Sequence, residues 1–146
     1  MFAGEHYHGL DSKNRIIIPA RFREYLGDSF HVCQGYDGCL EVYSSEEWSK
    51  ICEDAKKLDY NDPQVRNFIR LRFSRAFECQ FDKNGRITIP QVLVDLAGLE
   101  KECTISGANT HFEIWSKDKW MKLFYESGLS IESVSVNLKR KNDGTL

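Results

Sequence analysis

The chain writes one pattern twice. "LDSKNRIIIPARFRE" (Leu10 to Glu24) and "FDKNGRITIPQVLVD" (Phe81 to Asp95) share Asp-x-x-x-Arg, an Ile pair two residues apart and a Pro four positions after the Arg. A shift of 71 positions superposes Asp11 on Asp82, Arg15 on Arg86, Ile16 on Ile87, Ile18 on Ile89, Pro19 on Pro90 and Gly27 on Gly98. With one residue inserted, a shift of 72 carries the match through Gly35/Gly107, Glu41/Glu113, Val42/Ile114, Tyr43/Trp115, Ser44/Ser116 and Trp48/Trp120. A unit of about 45 residues made mostly of short β patterns cannot bury a stable core alone. Two such units can, and pairing around a pseudo-two-fold axis would bring both Asp-x-x-x-Arg segments to one face.

Local chemistry agrees in both copies. "DSKN" and "DKNG" are turn sequences, because Asp and Asn side chains bond nearby backbone and Gly accepts positive φ. The flanking "EHYHGL"/"RIIIP" and "FECQF"/"RITIP" have strand composition, which predicts each motif at the tip of a β-hairpin. Pro19 and Pro90 suit the first position of a helix and Gly27 and Gly98 its stop, predicting helices over 19–26 and 90–97. "FHVCQGYDGCLEVYS" and "CTISGANTHFEIWS" predict a second hairpin in each half. Ser44 with Glu47 forms a capping-box pattern opening a helix over 44–58, and Asp62-Pro63 opens another over 62–74 with Val65, Phe68, Ile69 and Phe73 on one face. The expected organisation is mainly β with helices (α+β): a first repeat over 5–47, a helical linker over 48–75, a second repeat over 76–119, and a C-terminal helix with a polar, fraying tail over 120–146.

Composition narrows the class. The 146 residues are 41% hydrophobic, enough for a packed core, and no apolar run approaches the roughly 20 residues of a membrane span. The opening "MFAGEHYHGLD" has neither the basic nor the apolar region of a signal peptide, so a cytoplasmic address is expected. Cys33, Cys39, Cys52, Cys79 and Cys103 are odd in number and lack a C-x-x-C pair, which reads as reduced, buried thiols. Net charge is −2, but the charges are segregated. Residues 11–23 carry Lys13, Arg15, Arg21 and Arg23 against Asp11 alone, and "QVRNFIRLRFSRAF" carries Arg66, Arg70, Arg72 and Arg75 without an acid. Local basic patches, rather than overall charge, are what nucleic-acid binding needs.

The repeated motif supplies matching chemistry. Arg presents a planar fork suited to phosphate or to the O6/N7 edge of guanine, Lys adds a mobile charge, and an Asp across a tight turn can hold the guanidinium in one orientation. The candidate DNA-binding residues are therefore Asp11, Lys13, Arg15, Asp82, Lys83 and Arg86. A lone Asp/Arg turn is ordinarily a surface ion pair. Its retention in both copies, while Ser12/Lys83 and Asn14/Gly85 drift, favours function. The basic helix from Arg66 to Arg75 could contact phosphates or acidic residues, and Trp48, Trp120, Tyr43 and Trp115 read as packing aromatics rather than base-stacking platforms.

Catalysis is not indicated. Cys39, His31 and Asp37 are the right types for a thiol nucleophile, but they share one local hairpin, lack a surrounding signature, and the second copy has His111 where the first has Cys39. No phosphate loop, metalloprotease or serine-elbow motif occurs. His6 and His8 share a strand face without a third ligand at metal spacing, so no metal or cofactor is expected.

"MFAGEHYHGLDSKNRIIIPARFRE", followed about 70 residues later by "FDKNGRITIP" and by "E-V-Y" and "E-I-W" in register, resembles the MraZ family, bacterial regulators at the head of the division and cell-wall gene cluster. The resemblance runs from Met1 to about Leu138. It implies a duplicated AbrB-like swapped-hairpin β-barrel and a sequence-specific transcriptional regulator, generally a repressor. Its implied partners are double-stranded DNA, at short direct repeats upstream of its own operon, and copies of itself in a ring-shaped homo-oligomer. It implies association with the nucleoid and neither a membrane nor a small-molecule substrate. On that resemblance Asp11, Arg15, Asp82 and Arg86 carry the DNA contact. The alternative is an oligomeric protein-interaction module of antitoxin type, disfavoured because only about eight tail residues look free.

Overall fold

The computed structural model describes residues 1–142. Its elements follow the repeat. The first copy supplies β1 (Glu5–Gly9), β2 (Arg15–Ile17), α1 (Ala20–Leu26), β3 (Phe30–Gln34) and β4 (Leu40–Ser44). Helices α2 (Ser45–Lys56) and α3 (Pro63–Ser74) follow. The second copy gives β5 (Ala76–Cys79), β6 (Arg86–Thr88), α4 (Gln91–Ala97), β7 (Glu102–Gly107) and β8 (Phe112–Ser116). These elements make one compact unit, Met1–Ser116; α5 (Lys117–Phe124) and α6 (Ile131–Asn142) belong to a second.

The first-hairpin expectation needs correcting. β1 and β2 do not pair with each other; β1 pairs antiparallel with β7, β5 with β3, and β2 with β6. Each motif still closes a turn, Asp11 N–H donating to Arg15 O at 3.0 Å and Asp82 N–H to Arg86 O at 2.9 Å, but the strands then part to the other copy. The reason is burial. Pairing across the copies packs Ile16, Ile18, Ile87 and Ile89 together, all at most 1% exposed, each side chain contributing about 1.5–3 kcal/mol. A local hairpin would leave those faces wet.

The second hairpins form as expected, β3 with β4 and β7 with β8. The resulting six-stranded order, β1-β7-β8-β4-β3-β5, reads the same when the copies are exchanged, since β1 corresponds to β5, β7 to β3 and β8 to β4. The swap of outer strands is therefore present, beside a separate two-stranded β2–β6 ribbon. No hydrogen-bonded pairing joins edge strands β1 and β5 into a closed barrel among the described residues. The pseudo-two-fold axis meets the strands where equivalents pair with each other: Ile16 with Ile87 and Glu41 with Glu113.

The main core gathers Phe22, Phe30, Leu40, Val42, Leu93, Ile105, Phe112 and Ile114 with the four isoleucines. A second cluster holds Cys33, Tyr43 and Trp48, with Phe73 packed on it. Trp48 stacks on His31 at 5.0 Å and 13°, a packing role as the sequence implied. Pro19 and Pro90 sit one position earlier than expected, as N-caps with extended ψ of 138° and 141°. Ser44 caps α2 by accepting from Glu47 N–H, and Asp62 caps α3 by accepting from Gln64 N–H. The apolar stripe of α3 is only partly used, because Phe68 stays 38% exposed. In the second unit, Trp120 and Phe124 pack ring on ring at 4.4 Å, and α6 continues to Asn142 where a fraying tail was expected. Residues 143–146 of that expected tail lie outside the described residues.

Candidate nucleic-acid interface

Each repeated turn is organised by its aspartate. Asp11 Oδ1 accepts the backbone N–H groups of Lys13 and Arg15, both at 2.9 Å, and Asp11 Oδ2 accepts Arg15 Nε–H at 2.7 Å. Asp82 does the same, its Oδ1 accepting from Asn84 and Arg86 N–H at 2.9 Å and its Oδ2 accepting Arg86 Nε–H at 2.8 Å. Both turns then need a residue at positive φ, supplied by Asn14 at 59° and Gly85 at 74°. The carboxyls of Asp11 and Asp82 are held below the ordinary carboxylate value, first by the backbone N–H of Arg15 or Arg86 and next by the same residue's side chain. They stay ionised, so the clamp on each guanidinium persists at neutral pH.

Antiparallel pairing of β2 and β6 brings the two turns together. Arg86 Nη1 lies 3.9 Å from Asp11 Oδ2, linking one motif to the other. Beyond the ribbon, Ile18 N–H donates to Gly85 O at 3.2 Å and Ile89 N–H to Asn14 O at 2.8 Å, the same bond made twice by symmetry. The side chains of Arg15 and Arg86 are 30% and 25% exposed. Because each Nε–H is spent on an aspartate, the terminal Nη groups are the donors left for another partner.

Lys13 and Lys83 are both exposed but are not equivalent. Asn84, not Lys83, occupies the place of Lys13 in the Asp hydrogen-bond pattern. Four further residues, none among the candidate DNA-binding residues, join the turns. Asn14 Nδ2 donates to Gln91 Oε1 at 2.8 Å across the copies, and Gln91 Nε2 in turn donates to Asp95 Oδ1. Arg23 donates to Ile18 O and lies over the second turn so closely that a Cβ on Gly85 would meet its guanidinium at 2.6 Å. The only signal for Arg23 was its place in the basic stretch, one turn into α1. A concave surface with Arg23, Glu24 and Asp28 on one side and Asp82, Lys83 and Asn84 on the other adjoins that turn.

Three of the four arginines of the basic α3 segment are engaged within the chain. Arg72 ion-pairs with Glu41 at 3.0 Å, Arg75 donates to Gln34 Oε1 at 3.0 Å and Arg66 to the carbonyls of Tyr60 and Asn61, leaving Arg70 the exposed arginine of the four. The thiol reading of Cys39 also fails on geometry and charge. Its Sγ–H donates to Tyr36 O at 3.2 Å, and burial, then the Glu113 and Glu41 carboxylates, push the thiol far up and keep it protonated. No helix among the described residues is long and apolar enough to cross a membrane.

Comparison with known proteins follows this duplication. The chain is 44% identical over 138 residues to the "Transcriptional regulator MraZ" of Ligilactobacillus salivarius, covering 94% of this chain and 96% of that one. It is 46% identical to the protein of the same name from Clostridium acetobutylicum and 45% to that of Acetivibrio thermocellus, with the same 94% and 96% coverage. One family model, described as "MraZ protein, putative antitoxin-like", matches twice, over residues 1–71 and 72–141. Those two consecutive matches, dividing the sequence as the repeat does, make the chain a member of the MraZ family.

Proposed function

We propose that the chain is a sequence-specific DNA-binding transcriptional regulator, acting in the cytoplasm at the nucleoid as a repressor of its own division and cell-wall cluster. The name its relatives carry supports regulation of transcription. The observation that carries the DNA contact is the pair of aspartate-clamped arginines joined across β2–β6, with Arg86 Nη1 3.9 Å from Asp11 Oδ2.

Two guanidinium groups fixed by their Nε–H bonds are preorganised for bidentate recognition of guanine O6 and N7 in a major groove wide enough for a two-stranded ribbon. Lys13 and Lys83 at the exposed turns supply phosphate contacts that orient without reading sequence. Self-association into a ring explains how a nearly neutral chain would bind. Several identical ribbons on spaced direct repeats gain effective concentration, so each contact can be modest.

The test is fluorescence anisotropy of the full chain on its own upstream duplex and on a shuffled duplex, across salt, with Arg15→Ala and Arg86→Ala. Repeat-dependent binding with a steep salt slope, abolished by either substitution, is expected. Equal weak binding to both duplexes would overturn the reading and turn the search to a protein partner of the kind antitoxins hold.

A further inference from the structure

The second crossing of the pseudo-two-fold axis holds a different chemistry from the first. Glu41 faces Glu113 directly in the β4–β8 register, and like charges in that relation destabilise a ladder. Arg72 offsets one of them, bonding Glu41 Oε1 at 3.0 Å. The remaining donors are arranged alike in both halves: Tyr43 O–H donates to Glu41 Oε1 at 2.9 Å, and Trp115 Nε1–H, its equivalent, to Glu113 Oε1 at 3.0 Å. Each carboxylate thus has Oε1 fixed and Oε2 accepting no hydrogen bond among the described residues. Both Oε2 atoms point at one place. His111 Nε2 lies 3.8 Å from Glu41 Oε2 and 3.8 Å from Glu113 Oε2.

That imidazole is itself held in position. Thr110 Oγ1 is 3.1 Å from its Nδ1, and Tyr43 stacks on the ring at 4.7 Å and 25°. Its Nε2 is enclosed and has no hydrogen-bond partner, a rare condition for a buried polar atom. We propose that Glu41 Oε2, Glu113 Oε2 and His111 Nε2 form a binding site for a zinc-like divalent cation, which clasps the two halves of the chain at this crossing.

The donor set selects the class of ion. One imidazole with two carboxylates suits zinc or a neighbouring transition dication, whereas calcium and magnesium take oxygen ligands throughout. The three ligand atoms lie within 4.8 Å of one another. Zinc bonds of about 2.0–2.2 Å place tetrahedral ligand atoms roughly 3.4 Å apart, so each 3.8 Å His–Glu separation would contract by about 0.4 Å and the Glu–Glu separation by up to about 1.4 Å, leaving a fourth position for water. The surrounding donors are those a metal site uses: the far nitrogen of the histidine is engaged by a hydroxyl and each ligating carboxylate is oriented through its other oxygen. The first half cannot build a second such site, since Cys39 stands where His111 stands in the second and its thiol is engaged by Tyr36 O. The His111 and Glu113 side chains are 16% and 23% exposed, so the cluster lies close to the surface.

The test uses the full chain stripped with a chelator, titrated with zinc by calorimetry and with cobalt followed by its visible absorption, with metal content per chain measured after dialysis. One ion per chain is expected, lost in His111→Ala and in Glu113→Gln and retained in a His6→Ala/His8→Ala double variant. Thr110→Val, at an exposed residue, should fold normally and weaken zinc binding by about 10–100-fold. No uptake by the unsubstituted chain, or uptake unchanged in His111→Ala and Glu113→Gln, would overturn the proposal. DNA binding is not a readout of this experiment, so its failure leaves the regulator reading where it stood.

Discussion

Ile16 lies opposite Ile87 in the β2–β6 pair, each the other's equivalent under the 71-residue shift and each fully buried. The two copies therefore share one buried core at a point where truncating either residue opens the same cavity. Ile16→Ala and Ile87→Ala should each destabilise by about 2–5 kcal/mol in denaturant titrations, and Ile→Val at either site by about 0.5–1.5 kcal/mol. Because the side chains touch one cavity, the double alanine variant should cost less or more than the sum, a coupling absent for pairs far apart. Strict additivity would show that the two copies do not share this core.

Arg15→Lys separates fork geometry from charge. Lysine keeps the cation but cannot bond Asp11 through Nε–H while offering two further donors to one base. Discrimination between the native and shuffled duplex should fall by about 1–3 kcal/mol, with little change in salt slope. Lys13→Ala should do the reverse, weakening both duplexes alike and lowering the slope by about one phosphate. A Lys13→Ala variant that changed sequence preference would move base reading from the arginine to the lysine.

Asp11 and Asp82 also predict a pH response. Both carboxyls are held below the ordinary value of 3.8, so the folded turn favours their ionised form. The stabilisation is complete above that ordinary value and is lost as pH falls through the depressed folded one. Asp11→Asn should therefore lower stability at neutral pH and flatten the acid limb of the stability profile below about pH 4. An unchanged acid limb in the Asp11→Asn/Asp82→Asn double variant would show that other carboxylates carry acid unfolding.

The repeat made the halves, the helices and the Asp-x-x-x-Arg turns legible, because each depends on neighbours in sequence: caps at Ser44 and Asp62, stops at Gly27 and Gly98, and turn residues at Asn14 and Gly85. What sequence could not give was which strands pair. β1 and β2 are adjacent in the chain and have hairpin composition, yet burial of Ile16 against Ile87 is worth more than the local ladder. The same limit hid the Glu41–His111–Glu113 cluster, whose members come from different copies and meet only through the β4–β8 register. It also hid the fate of α3, whose arginines looked like a basic face until Arg72 and Arg75 were seen to bond Glu41 and Gln34.

The thiols should differ sharply in reactivity. Burial pushes Cys33 up to about 12 and Cys79 and Cys103 to about 11, and Cys39 is raised further by burial and carboxylates. Alkylation of the native chain at pH 8 should modify Cys52 first, on the partly exposed flank of α2, then the partly exposed Cys79 more slowly, and the buried Cys33, Cys39 and Cys103 only at the rate of opening. Peptide mapping after timed quenching would check this; early labelling of Cys39 would revive the nucleophile reading set aside above.

Arg72 and Glu41 provide the sharpest stability test. Their side chains are 9% and 5% exposed, and Arg72 also donates to Gln34 O at 3.0 Å. A buried pair of this kind is not in itself a large net gain, since desolvating two charges offsets most of their attraction. Removing one partner is different, because the other is left charged in the interior. Arg72→Ala should therefore cost about 3–5 kcal/mol, a large part of the 5–15 kcal/mol that holds an ordinary domain together. Arg72→Met combined with Glu41→Leu should recover most of that loss in metal-free buffer, since neither charge then remains to be solvated. A double variant as unstable as Arg72→Ala would mean that the hydrogen bonds from Arg72 to Gln34 O and from Tyr43 to Glu41, rather than charge pairing, hold α3 against the sheet.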